Sequence, residues 1–197
     1  MRALVGRAAD TALQEALLER GIECRFVKLL DIETLAPPPD LARRLNAAQA
    51  VLLTSANAVA SLAAAAPGRD APVLAVGDAT AQAARAAGFA NVTSANGDAR
   101  DLARLARQRS DPRRGALVYL RGVDVAGDLA GMLGEFTVDE AVVYRALPVL
   151  ELDEAARAAL QDADLMLLFP PRSAAGFVSL VRAAGLSDQC RKMALVA

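Results

Sequence analysis

Two short turns rich in small and hydroxyl-bearing residues are the first candidates for chemistry in this sequence. Residues 54–57 (Thr-Ser-Ala-Asn) follow an apolar run at 51–53, and residues 77–80 (Gly-Asp-Ala-Thr) follow a run at 73–76. Both runs are short, partly β-branched and not alternating, which is typical of strands buried on both faces of a parallel sheet. An alanine-rich helix follows each turn, and the free N–H groups of a helix N-terminus suit a carboxylate or a phosphate.

Ligands of open α/β sheets bind at the carboxyl ends of the strands, which is where these turns are expected. The candidate binding residues in the two turns are Ser55, Ala56, Asn57, Gly77, Asp78, Ala79 and Thr80. The same residue types also favour plain capping of a helix N-terminus without any ligand. One turn alone does not decide between these two interpretations.

Three further turns each carry an arginine, whose guanidinium group binds a carboxylate through two parallel hydrogen bonds. The additional candidates are these arginines and their neighbours: Arg7, Arg121, Gly122, Pro171, Arg172 and Ser173. If all the turns share one cleft, they predict a site for a polyanion that depends mainly on backbone N–H groups.

The composition excludes several classes of function. There is no histidine, the two cysteines (Cys24 and Cys190) are far apart, and the net charge is −1. Clustered metal ligands, phosphate-binding glycine motifs and a field that attracts nucleic acid are therefore unsupported. We expect no metal site, no nucleotide-binding site, no nucleic-acid partner and two free thiols. Because the apolar runs are too short for a membrane span and no signal-peptide pattern is present, we expect a cytoplasmic protein without a membrane partner.

The elements that position these turns predict an α/β fold with doubly wound parallel sheets. Residues 2–6 and 22–30 read as two strands around a helix capped by Asp10, and residues 41–144 hold five strands separated by helices. After Pro148 the pattern of a strand, a small-residue turn and a helix restarts. Two strands at each end of the chain do not make a domain, so we expect them to share one sheet.

This reasoning predicts a discontinuous first domain and an inserted second one. The first comprises residues 1–36 and 149–197, the second comprises residues 41–144, and residues 37–40 and 145–148 are the linkers. The last segment repeats the plan of the doubled unit but stops inside its second copy. We therefore expect the C-terminal part of the first domain to be missing from this sequence.

An ordered set of segments resembles the uroporphyrinogen-III synthase family. The segments are VLLTSANAV (51–59), VLAVGDATAQAARAAGF (73–89), GDARDLARL (97–105), VYLRGVDVAGDLAGML (118–133), VVYRALPV (142–149) and ADLMLLFPPRSAAGF (163–177). They cover nearly the whole chain in the family's order. The resemblance implies two flavodoxin-like α/β domains joined by a two-stranded connector, with a cleft between them.

The resemblance also implies a reaction. The family closes the linear tetrapyrrole hydroxymethylbilane to uroporphyrinogen III with inversion of ring D, in haem biosynthesis, and needs no metal or cofactor. Tyr144 matches the family's connector tyrosine, and its phenol would donate a proton to the departing hydroxyl. Ser55, Gly77, Thr80 and Gly122 match binding turns. We expect a monomeric, cyclising lyase.

Two alternatives stay open at this point. The protein is a non-catalytic two-domain module that binds a small polyanion, or an inactive synthase-like fragment. Tyr144 is then an amphipathic hinge residue that bridges wet and dry surfaces.

Overall fold

The strands of this chain form two sheets in a computed structural model. The model describes residues 1–7, 9–168, 173–191 and 193–196, with backbone only for Ala12, Ser173 and Gln189. The chain divides into one unit of Met1–Asp31 with Leu147–Ala197 and a second unit of Ile32–Ala146. The α/β class with parallel sheets that the sequence predicts is confirmed.

The elements follow one another in chain order. The strands are β1 (Arg2–Gly6), β2 (Glu23–Phe26), β3 (Leu30–Thr34), β4 (Ala50–Leu53), β5 (Val73–Ala75), β6 (Val92–Ser94), β7 (Leu117–Gly122), β8 (Val138–Pro148), β9 (Leu165–Leu168) and β10 (Ala194–Val196). The helices are α1 (Thr11–Leu18), α2 (Leu41–Ala47), α3 (Val59–Ala65), α4 (Asp78–Ala86), α5 (Ala99–Arg109), α6 (Leu129–Met132), α7 (Glu154–Asp162), α8 (Ser173–Ala183) and α9 (Ser187–Cys190). A single 3₁₀ turn, Ala56–Ala58, precedes α3.

The first unit contains a parallel sheet in the order β10-β9-β1-β2. Strands from both ends of the chain therefore share one sheet, as the sequence predicts. Leu4, Met166 and Phe177 are buried in its apolar core. Asp10 caps α1 as expected, since its carboxylate accepts a hydrogen bond of 3.0 Å from the Leu13 N–H.

The second unit contains a sheet in the order β3-β8-β7-β4-β5-β6, in which the strands from β4 to β8 pair in parallel. Its central strand β4 is buried on both faces because alternate side chains enter two different cores. Val51 and Leu53 pack with residues of α2, α3 and α4, whereas Leu52 packs with residues of α5 and α6. Each leucine buried in this way stabilises the fold by roughly 1.5–3 kcal/mol.

The segment after β2 differs from the prediction of one strand over residues 22–30. Strand β2 ends at Phe26, which pairs with Val5 at the end of β1, and the Val27 N–H makes a last bond of 2.9 Å to the Val5 carbonyl. Among the described residues, none that follows Val27 in this segment bonds to β1. The chain resumes as β3, which lies in the other sheet.

Strand β8 is longer than predicted, because residues 145–148 continue it instead of forming a linker. Arg145 makes bonds of 2.8 and 3.1 Å to the Glu33 carboxylate of β3, its neighbour in the sheet. Pro148 is its last residue, where a missing N–H costs little. The chain thus passes between the two units within β3 and β8. The segment between β7 and β8 contains the short helix α6.

The side chain of Gln49 holds the turn that precedes β7. Its Nε2 donates to the carbonyl oxygens of Asp111 (3.0 Å) and Gly115 (2.6 Å), and its Oε1 accepts from the Asp111 N–H (3.0 Å). Gln49→Ala removes all three bonds, so we expect the free energy of unfolding to fall by about 1 kcal/mol. Chemical denaturation measures this, with Gln108→Ala on the exposed side of α5 as control. Equal unfolding midpoints for the two variants would contradict the assignment.

Candidate functional site

The candidate residues of the second unit lie along one edge of its sheet. Because β4, β5, β7 and β8 run parallel, their carboxyl ends meet at the same edge. Ser55 and Gly77 lie just beyond β4 and β5, and Gly122 ends β7. Tyr144 lies in β8 as the register partner of Gly122.

The N-terminus of α4 presents free backbone donors at this edge. Gly77 is the N-cap in an extended conformation (φ −155°, ψ 174°), and no side chain caps the helix. The Ala81 N–H bonds to the Gly77 carbonyl (3.0 Å), so the N–H groups of the three preceding residues have no partner within the helix. Asp78 and Ala79 are exposed, whereas the Thr80 side chain is buried.

The turn after β4 has fewer free polar groups than the N-terminus of α4, because it forms hydrogen bonds within itself. The Ser55 hydroxyl accepts from the Asn57 N–H (3.2 Å), and the Ser55 carbonyl accepts from the Ala58 N–H (3.3 Å). Ser55 is half-buried, and Ala56 and Asn57 are exposed. The capping interpretation therefore accounts for the Ser55 hydroxyl, and Ala56 supplies the remaining N–H of the turn.

Tyr144 lies directly on Gly122. A Cβ added at position 122 would be 2.7 Å from Cε2 of Tyr144, 2.8 Å from Cζ and 3.1 Å from the hydroxyl oxygen. The Val123 N–H also donates to the Tyr144 carbonyl (3.0 Å). The Tyr144 side chain is nearly buried, at 7% exposed, and its hydroxyl bonds to none of the residues that the structure describes. That phenol is therefore available as a proton donor.

Arg121 is already engaged within the protein. Its Nε pairs with the Glu140 carboxylate on β8, and its Nη1 donates to the carbonyls of Gly122 (3.0 Å) and Val123 (3.3 Å). The guanidinium group therefore ties the turn after β7 to the neighbouring strand.

A second phenol lies at the same end of the sheet. The Tyr119 hydroxyl is 3.0 Å from Oγ1 of Thr54, so β7 and the turn after β4 are joined by this hydrogen bond. Burial raises the pKa of the Tyr119 phenol above its usual range, and the bond with Thr54 opposes part of that shift. Tyr119 is thus a buried phenol whose hydroxyl already has a partner, whereas the Tyr144 hydroxyl has none among the described residues.

Comparison with protein families decides the class. The family model described as HEM4, uroporphyrinogen-III synthase HemD, matches residues 11–197. The chain belongs to the uroporphyrinogen-III synthase family. The resemblance seen in the ordered segments of the sequence is therefore confirmed.

Solved structures of uroporphyrinogen-III synthases share this fold. A mutant of the enzyme from the extremely thermophilic bacterium Thermus thermophilus is 21% identical, with 96% of this chain and 81% of that chain covered and a TM-score of 0.56. The Helicobacter pylori enzyme is 18% identical, with 99% of this chain and 92% of that chain covered and a TM-score of 0.61. At these identities the likeness concerns the fold alone. No protein among those with curated descriptions matches the chain.

Arg7 is the candidate of the first unit whose side chain the structure describes. Arg7 follows β1 and forms an ion pair of 3.4 Å with Asp10, so its guanidinium group is partly engaged at the start of α1. Pro171 and Arg172 lie outside the described residues. Ser173 is the first residue of α8, and its side chain is not described.

The structure offers no metal site in this synthase-family chain, as far as its described residues show: they contain no group of three or more histidine, cysteine or carboxylate side chains placed to hold an ion. Cys24 and Cys190 are free thiols, and burial raises the pKa of each. Within the same described part, none of the helices is both long and apolar enough to cross a lipid bilayer.

Sequence reasoning missed three residues that make structural contacts at this edge of the sheet: Thr54 as a partner of Tyr119, Tyr119 itself, and Glu140. All three depend on strand register, because Tyr119 is aligned with Leu52 on one side and with Glu140 on the other. The available signal was the spacing of Tyr119 and Arg121, which places both side chains on the same face of β7.

Proposed function

We propose that this protein closes hydroxymethylbilane to uroporphyrinogen III with inversion of ring D, a step of haem biosynthesis. It is a cyclising lyase of the uroporphyrinogen-III synthase family. The observation that carries this proposal is the family match over residues 11–197. Hydroxymethylbilane supplied to the protein, followed by oxidation and separation of the type I and type III uroporphyrins, tests it.

We place the substrate's carboxylates at the carboxyl edge of the six-stranded sheet. The uncapped N-terminus of α4 offers the N–H groups of Asp78, Ala79 and Thr80, and a helix N-terminus carries a partial positive charge that favours anions. The turn at Ser55 and Ala56 adds a weaker contact. Such a site binds a polyanion without a basic patch, in keeping with a net charge of −1.

Tyr144 is our candidate for the proton donor. Its hydroxyl would protonate the hydroxymethyl group on the terminal pyrrole. The carbon–oxygen bond then breaks, water departs, and the terminal pyrrole becomes a cationic azafulvene. Attack by the substituted pyrrole carbon then forms a spiro intermediate, and its fragmentation and reclosure invert ring D. The proton lost from the last pyrrole carbon returns to the phenolate, so the net product besides the macrocycle is water.

We extend this proposal to the domain organisation of the chain. We take the two units as doubly wound, flavodoxin-like domains, with β3 and β8 as the two-stranded connector. The enzyme works as a cytoplasmic monomer on a small-molecule substrate, and the reaction needs no cofactor, because it only moves protons and releases water.

A proline at the first position of α4 tests the backbone donors. Asp78→Pro removes one N–H, and the extended Gly77 before it has the conformation that a residue preceding proline prefers. We expect KM for the bilane to rise about tenfold, since a hydrogen bond to a charged group contributes roughly 1.5–3 kcal/mol. Steady-state kinetics of type III formation measure this.

Asp78→Ala is the matched control, because it removes the same exposed carboxylate and keeps the N–H. We expect its KM to stay level or to fall, since a carboxylate next to a polyanionic substrate is repulsive. If Asp78→Pro and Asp78→Ala had the same KM, the N–H of residue 78 would not be a ligand of the substrate.

A further inference from the structure

The hydrogen bonds of Arg121 form a closed set of contacts around the turn beneath Tyr144. Nη1 of Arg121 donates to the carbonyls of Gly122 and Val123, the two residues that follow it. The Val123 N–H in turn donates to the Tyr144 carbonyl. The turn after β7 is therefore held both by the guanidinium group and by the backbone of β8.

This turn contains an irregularity that determines where the phenol lies. The register between β7 and β8 shifts between Arg121 and Gly122, so that Gly122 pairs with Tyr144 where a regular ladder would pair it with Val143. Such bulges redirect a side chain. Because the ring of Tyr144 lies on Gly122, the position of the Gly122 backbone limits the position of the phenol.

Glu140 completes the set by neutralising Arg121. Its carboxylate pairs with Nε of the guanidinium group, and its Cα is aligned with Tyr119 in the β7–β8 ladder. The Arg121 and Glu140 side chains are 24% and 37% exposed. A substrate carboxylate that approached Arg121 would therefore meet a neutral pair whose outer member carries a negative charge.

We propose that Arg121 is a positioning residue, held by Glu140, that fixes the turn beneath Tyr144 and does not itself bind a substrate carboxylate. This inference rests on the proposed function, in which Tyr144 is the proton donor. A carboxylate ligand and a positioning residue predict opposite results when Glu140 loses its charge, and this difference makes the two roles separable.

The kinetic test compares Glu140→Gln with Arg121→Gln and Arg121→Lys. For a positioning residue, Glu140→Gln and Arg121→Gln each lower kcat about tenfold, because small displacements of a catalytic group cost that much or more, and KM stays the same. Arg121→Lys does not restore kcat, since a single ammonium group lacks the fork that reaches two carbonyls and a carboxylate. The double variant Arg121→Gln/Glu140→Gln loses no more than Arg121→Gln alone.

Glu135→Gln is the matched control for the loss of an ion pair. Glu135 precedes β8 in the same unit and pairs with Arg107 of α5 at 2.5 Å, and both side chains are exposed. We expect its kcat and KM to equal those of the unmodified protein. A lower KM in Glu140→Gln, or a raised KM with unchanged kcat in Arg121→Gln, would overturn the inference, because both results are those of a carboxylate ligand.

A spectroscopic test needs no substrate and so keeps this inference separate from the proposed function. The chain has two tyrosines and no tryptophan, so in a Tyr119→Phe background the only tyrosine emission comes from Tyr144. We expect Arg121→Gln or Glu140→Gln in that background to raise acrylamide quenching of this emission at least twofold, because a loosened turn exposes the ring. Glu135→Gln in the same background should leave it unchanged.

The two sets of results have distinct meanings. Absence of type III product from the unmodified protein would overturn the proposed function, whereas the quenching would still report on the turn. Equal quenching in all four proteins would overturn the positioning role of Arg121, whatever the unmodified protein produces.

Discussion

Tyr144→Phe is expected to lower kcat for uroporphyrinogen III formation about 100-fold, the lower end of what a general acid contributes. The substitution removes only the hydroxyl and leaves the ring on Gly122, so the fold and KM should change little. The remaining rate would come from positioning of the flexible bilane, which needs no phenol. Initial rates of type III formation at several bilane concentrations measure kcat and KM separately.

Tyr119→Phe is the control for this prediction. It removes the other phenol of the chain, whose hydroxyl is already bonded to Thr54. We expect it to retain the kcat of the unmodified protein. Equal losses in the two variants, or no loss in Tyr144→Phe, would remove Tyr144 from the role of proton donor.

Gly122→Ala is expected to have an effect of similar size through a different cause. The added methyl group would be 2.7 Å from the Tyr144 ring, so the nearly buried ring has to move. A displacement of about 1 Å at a catalytic group costs on the order of 100-fold in rate. Both substitutions act through the Tyr144 hydroxyl. The double variant Gly122→Ala/Tyr144→Phe should therefore have nearly the same rate as the slower of the two single variants.

Gly127→Ala is the matched control, since it adds the same methyl group in the segment that follows β7. A Cβ at position 127 meets no atom within 4 Å. Its kinetics should equal those of the unmodified protein. If Gly122→Ala behaved in the same way, the contact between Gly122 and Tyr144 would have no influence on catalysis.

Much of the fold was predictable because its signals are local. The unbroken apolar run of β4 predicts a strand buried on both faces, and its side chains do enter two cores. The start of α5 is a local signal of the same kind, because an aspartate is a preferred N-cap and the Asp98 carboxylate accepts from the N–H groups of Arg100 (2.7 Å) and Asp101 (3.2 Å). The small residues after β4 and β5 predicted turns at the carboxyl edge of the sheet, and the structure places them there.

Strand β3 and the side-chain pairs of the site were not predictable, because they depend on which strands become neighbours. Local sequence patterns do not specify those neighbours. Strand β3 is short and contains the charged residues Asp31 and Glu33, so its sequence is typical of a loop. It forms a strand because it pairs with β8 in the sheet. The pairing of Arg121 with Glu140 and that of Thr54 with Tyr119 arise from the register of β4, β7 and β8. From the sequence alone, Arg121 had the appearance of a free cation in a binding turn.

The composition of the product is the most direct test of the central claim. Hydroxymethylbilane generated in situ closes to the type I isomer without an enzyme, so the uncatalysed background is visible in every sample. We predict that the protein yields mainly type III uroporphyrin after oxidation, in an amount that rises with protein concentration. A folded protein that leaves only type I would contradict the assignment as a uroporphyrinogen-III synthase.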